Sequence, residues 1–208
     1  MKACALMSDG IDSPVATYLM AKKGVEITVI HANNSPGDDL DKVVRLVRAI
    51  AKASGERMVL VTFDHYPNQE AFRAIKPKWF HCLLCKRMMV RVASELAIRR
   101  GGEFVIMGDS LGQVASQTLP NLRIVEEASS LPIIRPLIGL DKLEIERIGI
   151  SMGSFEISIR DQAKCQYVPE KASVKGHLNK LHQLESLVDI GSLVTKSLDS
   201  VKEILLQS

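Results

Sequence analysis

The stretch ACALMSDGIDSPVATYLMAKKG, residues 3–24, decides the fold. Its first five residues are apolar and lead into a Ser-Asp-Gly cluster, which is the pattern of a short buried strand entering a tight turn. Pro14 suits the first turn of a helix, where its missing N–H leaves no hydrogen bond unmade, and Gly24 suits the position after the helix end. This stretch therefore predicts a strand, a tight turn and a helix in direct succession.

The same alternation continues along most of the chain. Short runs rich in β-branched and apolar residues predict further strands at about 25–30, 58–63, 104–107 and 132–137. Between them, apolar residues recur at helical spacing, and Gly55 and Gly101 follow the ends of predicted helices. Asp141 and Glu144 stand at the N-cap and N3 positions of another helix. This rhythm predicts an α/β fold with a doubly wound, mainly parallel sheet.

The pattern changes near residue 170. Apolar residues beyond it fall on two helical faces, formed by Val174, Leu178 and Leu181 and by Val194, Leu198, Val201 and Leu205. We therefore expect a main domain over residues 1–170 and a C-terminal helical extension over residues 171–208. Such helices pack on the domain or on a second copy, so a homodimer is an open alternative.

Length and composition exclude several classes of protein. The 208 residues are 46% hydrophobic and 25% charged, as in an ordinary globular domain. Apolar runs stay well below the roughly 20 residues that a membrane helix needs, and the start Met1-Lys2 precedes too few apolar residues for a signal peptide. We therefore expect a cytoplasmic protein with no membrane partner. Four cysteines in a chain of this size do not indicate a disulfide framework.

The turn SDGIDS, residues 8–13, is a candidate anion site. It follows the first strand and opens the first helix, so its backbone N–H groups and the helix dipole favour an anion beyond the carboxyl end of the sheet. Ser8 and Ser13 can add hydroxyl donors, and Gly10 lets the backbone approach a ligand closely. Because Asp12 cannot attract phosphate itself, we expect it to hold Mg²⁺ or to orient the loop.

The SDGIDS turn resembles the SGGxDS signature of the PP-loop ATP pyrophosphatases, which hold the β,γ-pyrophosphate of ATP while AMP is transferred. Three further blocks resemble the catalytic domain of the tRNA 4-thiouridine synthetase family: CLLCKRMMVRVA (82–93), MGDSLGQVASQTLPNL (107–122) and PIIRPLIGLDKLEI (132–145). The similarity covers residues 1 to about 170 and implies an adenine nucleotide alpha hydrolase-like, PP-loop fold.

One residue departs from the signature, because Asp9 stands where the family has its first glycine. A carboxylate in the phosphate cradle would oppose ATP binding by about 1–4 kcal/mol. We therefore expect Asp9 either to point outward or to share the metal.

The resemblance implies ATP-dependent thiolation of a tRNA uridine, with 4-thiouridine as the expected product. The uracil oxygen is first adenylated, and sulfur then displaces AMP. ATP and Mg²⁺ are the implied cofactors, and the implied catalytic residues are Asp12, Lys142 and Cys165. The implied ATP-binding residues are Ser8, Asp9, Gly10, Ile11, Asp12, Ser13, His31, Gly108, Gln113 and Gln117.

Cys82 and Cys85, spaced as CLLC, indicate a metal-binding or redox site. The resemblance adds Cys165, which occupies the position of a cysteine used in sulfur transfer. Two mechanisms are open: Cys165 resolves a persulfide delivered by a partner, or the three cysteines hold an iron–sulfur cluster with one iron open to sulfide. The alternative is a structural CxxC with an unrelated third cysteine. We expect Cys4, in the first strand, to lie in the core.

Positive charge is concentrated in one stretch of the chain. Residues 70–100 carry an excess of +6, more than the +3 of the whole chain, with Glu70 and Glu95 opposing Arg73, Lys76, Lys78, Lys86, Arg87, Arg91, Arg99 and Arg100. We expect RNA contacts from Lys86, Arg87 and Arg91, with a solvated helix face as the alternative.

Full-length members of the family also carry a THUMP module that grips tRNA and, in some, a rhodanese domain that supplies sulfur; these 208 residues resemble neither. The expected partners are therefore tRNA, a sulfur donor protein or sulfide, and a separate tRNA-binding subunit. The open alternatives are another PP-loop sulfur or nitrogen transferase, acting at a different tRNA position or in thiamine synthesis, and a non-catalytic nucleotide-binding module.

Overall fold

The computed structural model describes residues 1–34, 40–160 and 165–206. Its strands are β1 (Lys2–Met7), β2 (Glu26–Asn33), β3 (Val59–Asp64), β4 (Phe104–Ile106), β5 (Ile133–Ile134) and β6 (Lys202–Ile204). Within the described residues, these strands form one six-stranded sheet of order β5-β4-β1-β2-β3-β6. Every pairing is parallel except that of β3 with β6. The predicted mainly parallel sheet is therefore confirmed.

Helices connect the strands and follow them along the chain. They are α1 (Asp12–Ala21), α2 (Leu40–Ser54), α3 (Tyr66–Arg73), α4 (His81–Arg99), α5 (Leu119–Glu126), α6 (Lys142–Ser151), α7 (Phe155–Ile159), α8 (Leu178–Glu185) and α9 (Ile190–Asp199). Short 3₁₀ turns occupy Lys78–Phe80 and Ala115–Gln117. No described helix is both long enough and apolar enough to cross a membrane.

Helices cover both faces of the sheet. Since successive strand side chains point to opposite faces, Ala5 and Val29 face the layer that contains α1, α2 and α6. Cys4 and Ile30 face the layer that contains α4, α5, α8 and α9. This arrangement confirms the doubly wound fold, and the burial of Cys4 confirms its place in the core.

The capping box predicted at Asp141 is confirmed. The Asp141 Oδ1 accepts from the backbone N–H of Glu144 at 2.8 Å, and the Glu144 Oε2 accepts from the backbone N–H of Asp141 at 2.7 Å. These two bonds satisfy N–H groups that a helix start leaves unpaired. They fix the start of α6, and with it the position of Lys142.

The predicted helical face through Val201 and Leu205 is wrong. Helix α9 ends at Asp199, and the chain continues as β6, which pairs antiparallel with β3. A four-residue spacing fits one face of a helix and one face of a strand equally well, and the open backbone groups on the edge of β3 favour the strand. The face predicted from Val174 is also corrected, because α8 begins only at Leu178. The domain boundary at residue 170 stays a prediction.

Candidate active site

A cavity of about 610 Å³ opens at the carboxyl ends of the central strands. The loop between β1 and α1 lines it, together with Lys86 and Met89 of α4 and residues 165–167. Most of the predicted ATP-binding residues line it, namely Ser8, Asp9, Gly10, Ile11, Asp12, Ser13, His31, Gly108 and Gln117. Gln113 does not line the cavity; its amide donates to Ser110 Oγ at 3.1 Å.

Hydroxyl groups close the loop between β1 and α1. The Ser13 Oγ accepts from the backbone N–H of Ser8 at 2.9 Å and lies 3.0 Å from Ser8 Oγ. The Ser8 Oγ in turn accepts from the backbone N–H of Gly10 at 3.3 Å. From outside the loop, Ser158 Oγ donates to the Gly10 carbonyl at 3.1 Å. The two serines predicted as donors to an anion therefore also hold the turn in shape.

Gly108 brings the end of β4 against the start of α1. A Cβ built on Gly108 would lie 2.7 Å from both the Cα and the backbone N of Ser13. Because these are backbone atoms, they cannot move aside as the end of a flexible side chain could. Glycine is therefore required here by the close packing of two cavity-lining loops.

Asp9 is partnered by a lysine. Its Oδ2 lies 3.4 Å from the Nζ of Lys42, whose side chain is only 2% exposed, whereas that of Asp9 is 45% exposed. The Lys42 ammonium also donates to the carbonyl of Arg160 at 2.6 Å. A buried cation beside the carboxylate offsets the repulsion that Asp9 would exert on phosphate. The sequence pattern did not single out Lys42, since it stands 33 residues away.

Asp12 and Lys142 interact electrostatically at the start of α1. Burial raises the pKa of Asp12 above its ordinary value, and the Lys142 charge acts in the opposite direction. Lys142 is 71% exposed, lies 3.9 Å from Glu146 and is not part of the cavity lining. Asp12 lines the cavity. The catalytic roles of Asp12 and Lys142 stay predictions.

Asp109 is the centre of a buried polar cluster. Its carboxylate lies 2.8 Å from Lys86 Nζ and 3.4 Å from Arg135 Nε. Burial alone would raise the pKa of Asp109, but the two cations and the hydrogen bond from Lys86 bring that pKa below its ordinary value. Gln117 donates to the same carboxylate at 3.5 Å. Lys86, predicted to bind RNA, thus lines the cavity as the partner of Asp109.

His31 lies between the ends of β1 and β2. It is 7% exposed, and its Nδ1 lies 2.9 Å from the carbonyl of Met7. Because a carbonyl only accepts, Nδ1 carries the proton and donates to it. This bond holds the ring at the cavity wall, consistent with the predicted position at the nucleotide.

Of the three candidate cysteines, two lie on α4 and one lines the cavity. Cys82 and Cys85 lie one turn apart at the start of α4, and the exposed Cys165 lines the cavity. Burial, then the neighbouring cysteines, raises the pKa of Cys85 to about 12 and raises that of Cys82 as well. Among the described residues, however, no group of three His, Cys, Asp or Glu side chains has an arrangement that could hold a metal ion.

Donors that the sequence did not reveal surround Cys85. Its Sγ lies 3.2 Å from Gln69 Nε2 and 3.4 Å from His65 Nε2. Asn68 Nδ2 donates to the other ring nitrogen of His65 at 3.0 Å, so in the neutral ring the proton lies on Nε2 and faces the sulfur. His65 is fully buried, and burial lowers its pKa to about 3, so it is neutral. Both groups can donate to a thiolate, but burial outweighs the Gln69 bond, so the pKa of Cys85 stays above its ordinary value.

The basic stretch predicted to meet RNA is divided by the fold. Arg87 has a fully buried side chain, with bonds to Glu185 at 2.7 and 2.9 Å and an ion pair with Glu127 at 2.8 Å. The same Glu185 holds Arg91 at 2.7 Å. A buried, ion-paired guanidinium cannot reach a polyanion, so the RNA-binding assignment of Arg87 is corrected. Arg87 and Arg91 both tie α8 to α4, and the RNA contact of Arg91, whose side chain is 21% exposed, stays a prediction.

Known proteins have similar sequences. A family model described as thiamine biosynthesis protein (ThiI) matches residues 1–190. A probable tRNA sulfurtransferase of Methanobrevibacter smithii is 36% identical over 206 residues, covering 96% of this chain and 54% of that protein. One from Thermococcus kodakarensis is 40% identical over 187 residues, covering 88% and 49%. The chain spans about half the length of these curated relatives.

Solved structures agree with the fold. The crystal structure of a 4-thiouridine synthetase–RNA complex with bound ATP superimposes with a TM-score of 0.92 at 31% identity, covering 98% of this chain and 55% of that one. The U34-tRNA thiolase NcsA of Methanococcus maripaludis, solved with its [4Fe-4S] cluster, has a TM-score of 0.55 at 15% identity and so shares the fold. Since the family model covers most of the chain, this protein belongs to the thiamine biosynthesis protein (ThiI) family.

Proposed function

We propose that the chain catalyses ATP-dependent thiolation of a tRNA uridine to 4-thiouridine. The observation that carries this proposal is that the PP-loop and the exposed Cys165 line the same cavity. The 4-thiouridine synthetase of the matching structure binds ATP and RNA, and the relatives are named tRNA sulfurtransferases. An activating loop and a sulfur site in one space suit a reaction that needs both.

At the phosphate end, ATP is the activating reagent. The loop amides and the start of α1 would hold its β- and γ-phosphates, since a helix N-terminus favours anions. Uracil O4 attacks the α-phosphorus, forming an O4–phosphorus bond and releasing pyrophosphate. The carboxylate of Asp12 would hold Mg²⁺ beside these phosphates, because Mg²⁺ prefers carboxylate and phosphate oxygens. The Lys86 charge near the same space adds positive potential.

At the sulfur end, the nucleophile attacks C4 and AMP leaves with the former O4. In the persulfide route, the terminal sulfur of a donor protein's persulfide forms the bond to C4. The Cys165 thiolate then attacks the donor's inner sulfur, which frees the thiolated uracil and leaves a disulfide that an external thiol reduces. The exposure of Cys165 supports this role, because a partner can reach it.

The second route uses an iron–sulfur cluster held by Cys82, Cys85 and Cys165, which would supply sulfide on an open iron. Cys82 and Cys85 lie one turn apart on α4, and His65 and Gln69 stand within hydrogen-bond distance of Cys85 Sγ, as outer partners of a metal-bound thiolate would. Anaerobic purification followed by iron, sulfide and visible-absorption measurements decides between the routes. Iron-free protein that thiolates at the full rate would exclude the cluster, and iron that is lost together with activity in Cys82→Ala would support it.

Analysis of tRNA nucleosides by mass spectrometry tests the function. Protein, ATP, Mg²⁺ and unmodified tRNA, supplied with sulfide or with a persulfide-carrying donor protein, should yield 4-thiouridine with equal amounts of AMP and pyrophosphate. A thionucleoside at another position, or sulfur transfer only to a small molecule of the thiamine pathway, would support the other PP-loop activities. ATP binding with no uridine-dependent pyrophosphate release would indicate a non-catalytic module.

A further inference from the structure

Two exposed basic segments flank the cysteine end of the cavity. The first runs from Arg73 to Trp79, just before the helix that carries Cys82, and the second covers residues 171–175, shortly after Cys165. Neither segment contains a carboxylate. Their exposed cations are Arg73, Lys76, Lys78, Lys171 and Lys175. Both segments thus lie close in sequence to a candidate cysteine.

Hydrogen bonds join these segments into one surface. The backbone N–H of Ser173 donates to the carbonyl of Trp79 at 3.0 Å. Asn121, which is fully buried, donates to the carbonyl of Ser173 at 2.8 Å and accepts from the N–H of Gly176 at 2.8 Å. Both segments are therefore held in place before any ligand arrives, which lowers the entropy cost of binding.

The surface is continuous with the cavity. Tyr167, which lines the cavity, stacks on His81 with ring centroids 5.4 Å apart and an interplanar angle of 10°. Its hydroxyl donates to Glu70 at 2.6 Å, and Glu70 in turn lies 3.3 Å from Arg73. Glu70 is therefore engaged by two neighbours, although it and the exposed Glu170 reduce the local positive charge.

The cations on this surface are available to a ligand. Within residues 1–34, 40–160 and 165–206, Lys76, Lys78, Lys171 and Lys175 form no ion pair. They contrast with Arg87, which is buried against Glu185. Beside them the indole of Trp79 is 51% exposed, although a large aromatic side chain is ordinarily buried.

We propose that this surface, formed by residues 73–79 and 171–175, docks the RNA next to the nucleotide to be modified. Unpaired lysines recognise phosphates, and an exposed aromatic face stacks on an unpaired base. RNA supplies both partners at once, phosphates for the lysines and a base for the indole, within reach of the cavity that the proposed reaction uses; an acidic protein is the other outcome of the test. This inference rests on the proposed function, because it takes RNA as the substrate.

Fluorescence anisotropy with a labelled tRNA transcript, at several salt concentrations, tests the surface. Lys76→Glu/Lys78→Glu should weaken RNA binding at least about tenfold and reduce the slope of log K against log salt by roughly one to two. Trp79→Ala should weaken it at least about fivefold, and Trp79→Phe should restore most of the loss. The ATP affinity of each variant, measured by calorimetry, should stay within twofold of that of the protein without substitutions. Retained ATP binding also shows that the variants fold.

The matched control is Lys22→Glu/Lys23→Glu, which makes the same change of charge. These exposed lysines follow the end of α1, near the amino end of β2, whereas the cavity lies at the carboxyl ends of the strands. Equal weakening by both pairs, or no weakening by Lys76→Glu/Lys78→Glu, overturns the surface. Unchanged RNA affinity with slower transfer from a sulfur-carrying protein also overturns it and identifies an acidic protein as the occupant.

The function and the surface fail in different ways. Unchanged protein that binds RNA through these residues but forms no thionucleoside contradicts the proposed function and leaves the surface standing. If the protein without substitutions thiolates tRNA and both surface variants keep normal RNA affinity, the docking surface is wrong and the proposed function stands. Protein that binds no RNA contradicts both.

Discussion

The two ends of the cavity are built in different ways. The phosphate end is local in sequence: Ser8 and Ser13, five residues apart, hydrogen-bond to each other and shape the loop. The sulfur end joins distant segments, since Cys82 and Cys165 belong to different parts of the chain and α4 is tied to α8 through Arg87 and Glu185, 98 residues apart. The comparison teaches that the first end begins as a short motif, which distant residues then hold in place, whereas the second is assembled only when the chain folds.

Removing the exposed thiol should break the sulfur end alone. Cys165→Ser should reduce thiolation by a factor on the order of 10⁴, because a group that takes part in the covalent step is lost. ATP affinity should not change, since the phosphate end does not use Cys165. Thionucleoside analysis and calorimetry measure the two quantities. Cys4→Ala removes a thiol that lies in the core and should still thiolate; normal thiolation by Cys165→Ser would remove that residue from the mechanism.

Glu185→Gln should weaken the fold around the sulfur end. Removing this carboxylate leaves Arg87 buried without its main counter-charge, so the free energy of unfolding should fall by about 3–5 kcal/mol at pH 7. Urea denaturation measures the change. The more exposed Glu127→Gln should cost less than about 1 kcal/mol. Equal losses in the two variants would contradict the role of the buried pair.

The stability lost in Glu185→Gln should depend on pH. Burial acts to raise the pKa of Glu185, but the bonds from Arg87 and Arg91 lower it to about 2. The stabilisation is therefore fully present above the unfolded pKa of about 4.3, and is lost as the pH falls towards about 2. The stability difference between the unchanged protein and Glu185→Gln should narrow across that window. A constant difference from pH 7 to pH 2 would disprove the coupling.

Gly108→Ala should break the phosphate end. The added Cβ meets backbone atoms of Ser13 at 2.7 Å, so the start of α1 has to move away from its place beside the loop. Overpacking of this kind costs about 1–3 kcal/mol, and we expect ATP affinity to fall roughly tenfold. Gly139→Ala is the control, because a Cβ there meets nothing within 4 Å. Unchanged ATP affinity in Gly108→Ala would show that the two loops need not touch.

The smallest effect is expected at Asp9. Because Lys42 already offsets its charge, Asp9→Gly should change ATP affinity less than about fivefold. Lys42→Met should weaken ATP binding more, since it leaves the carboxylate without its cation near phosphate. Calorimetric titration with ATP compares the two variants. A gain of a hundredfold in Asp9→Gly would mean that Asp9 does occupy the phosphate cradle.

Local features could be predicted from the sequence, whereas long-range ones could not. The first strand, turn and helix and the capping box at Asp141 depend on neighbouring residues and are confirmed. The burial of Arg87 could not be foreseen, because its partner Glu185 comes close only after α8 packs on α4. The strand β6 was missed for the same reason: its pairing partner β3 lies far away in the sequence.

An oxygen-18 label tests the coupling of the two ends most directly. The protein would be given tRNA whose target uridine carries ¹⁸O at O4, together with ATP, Mg²⁺ and a sulfur source. If O4 is adenylated and sulfur then displaces AMP, the label appears in the phosphate of AMP in equal amount to the 4-thiouridine formed. AMP without the label, or ADP as the nucleotide product, would contradict the proposed mechanism.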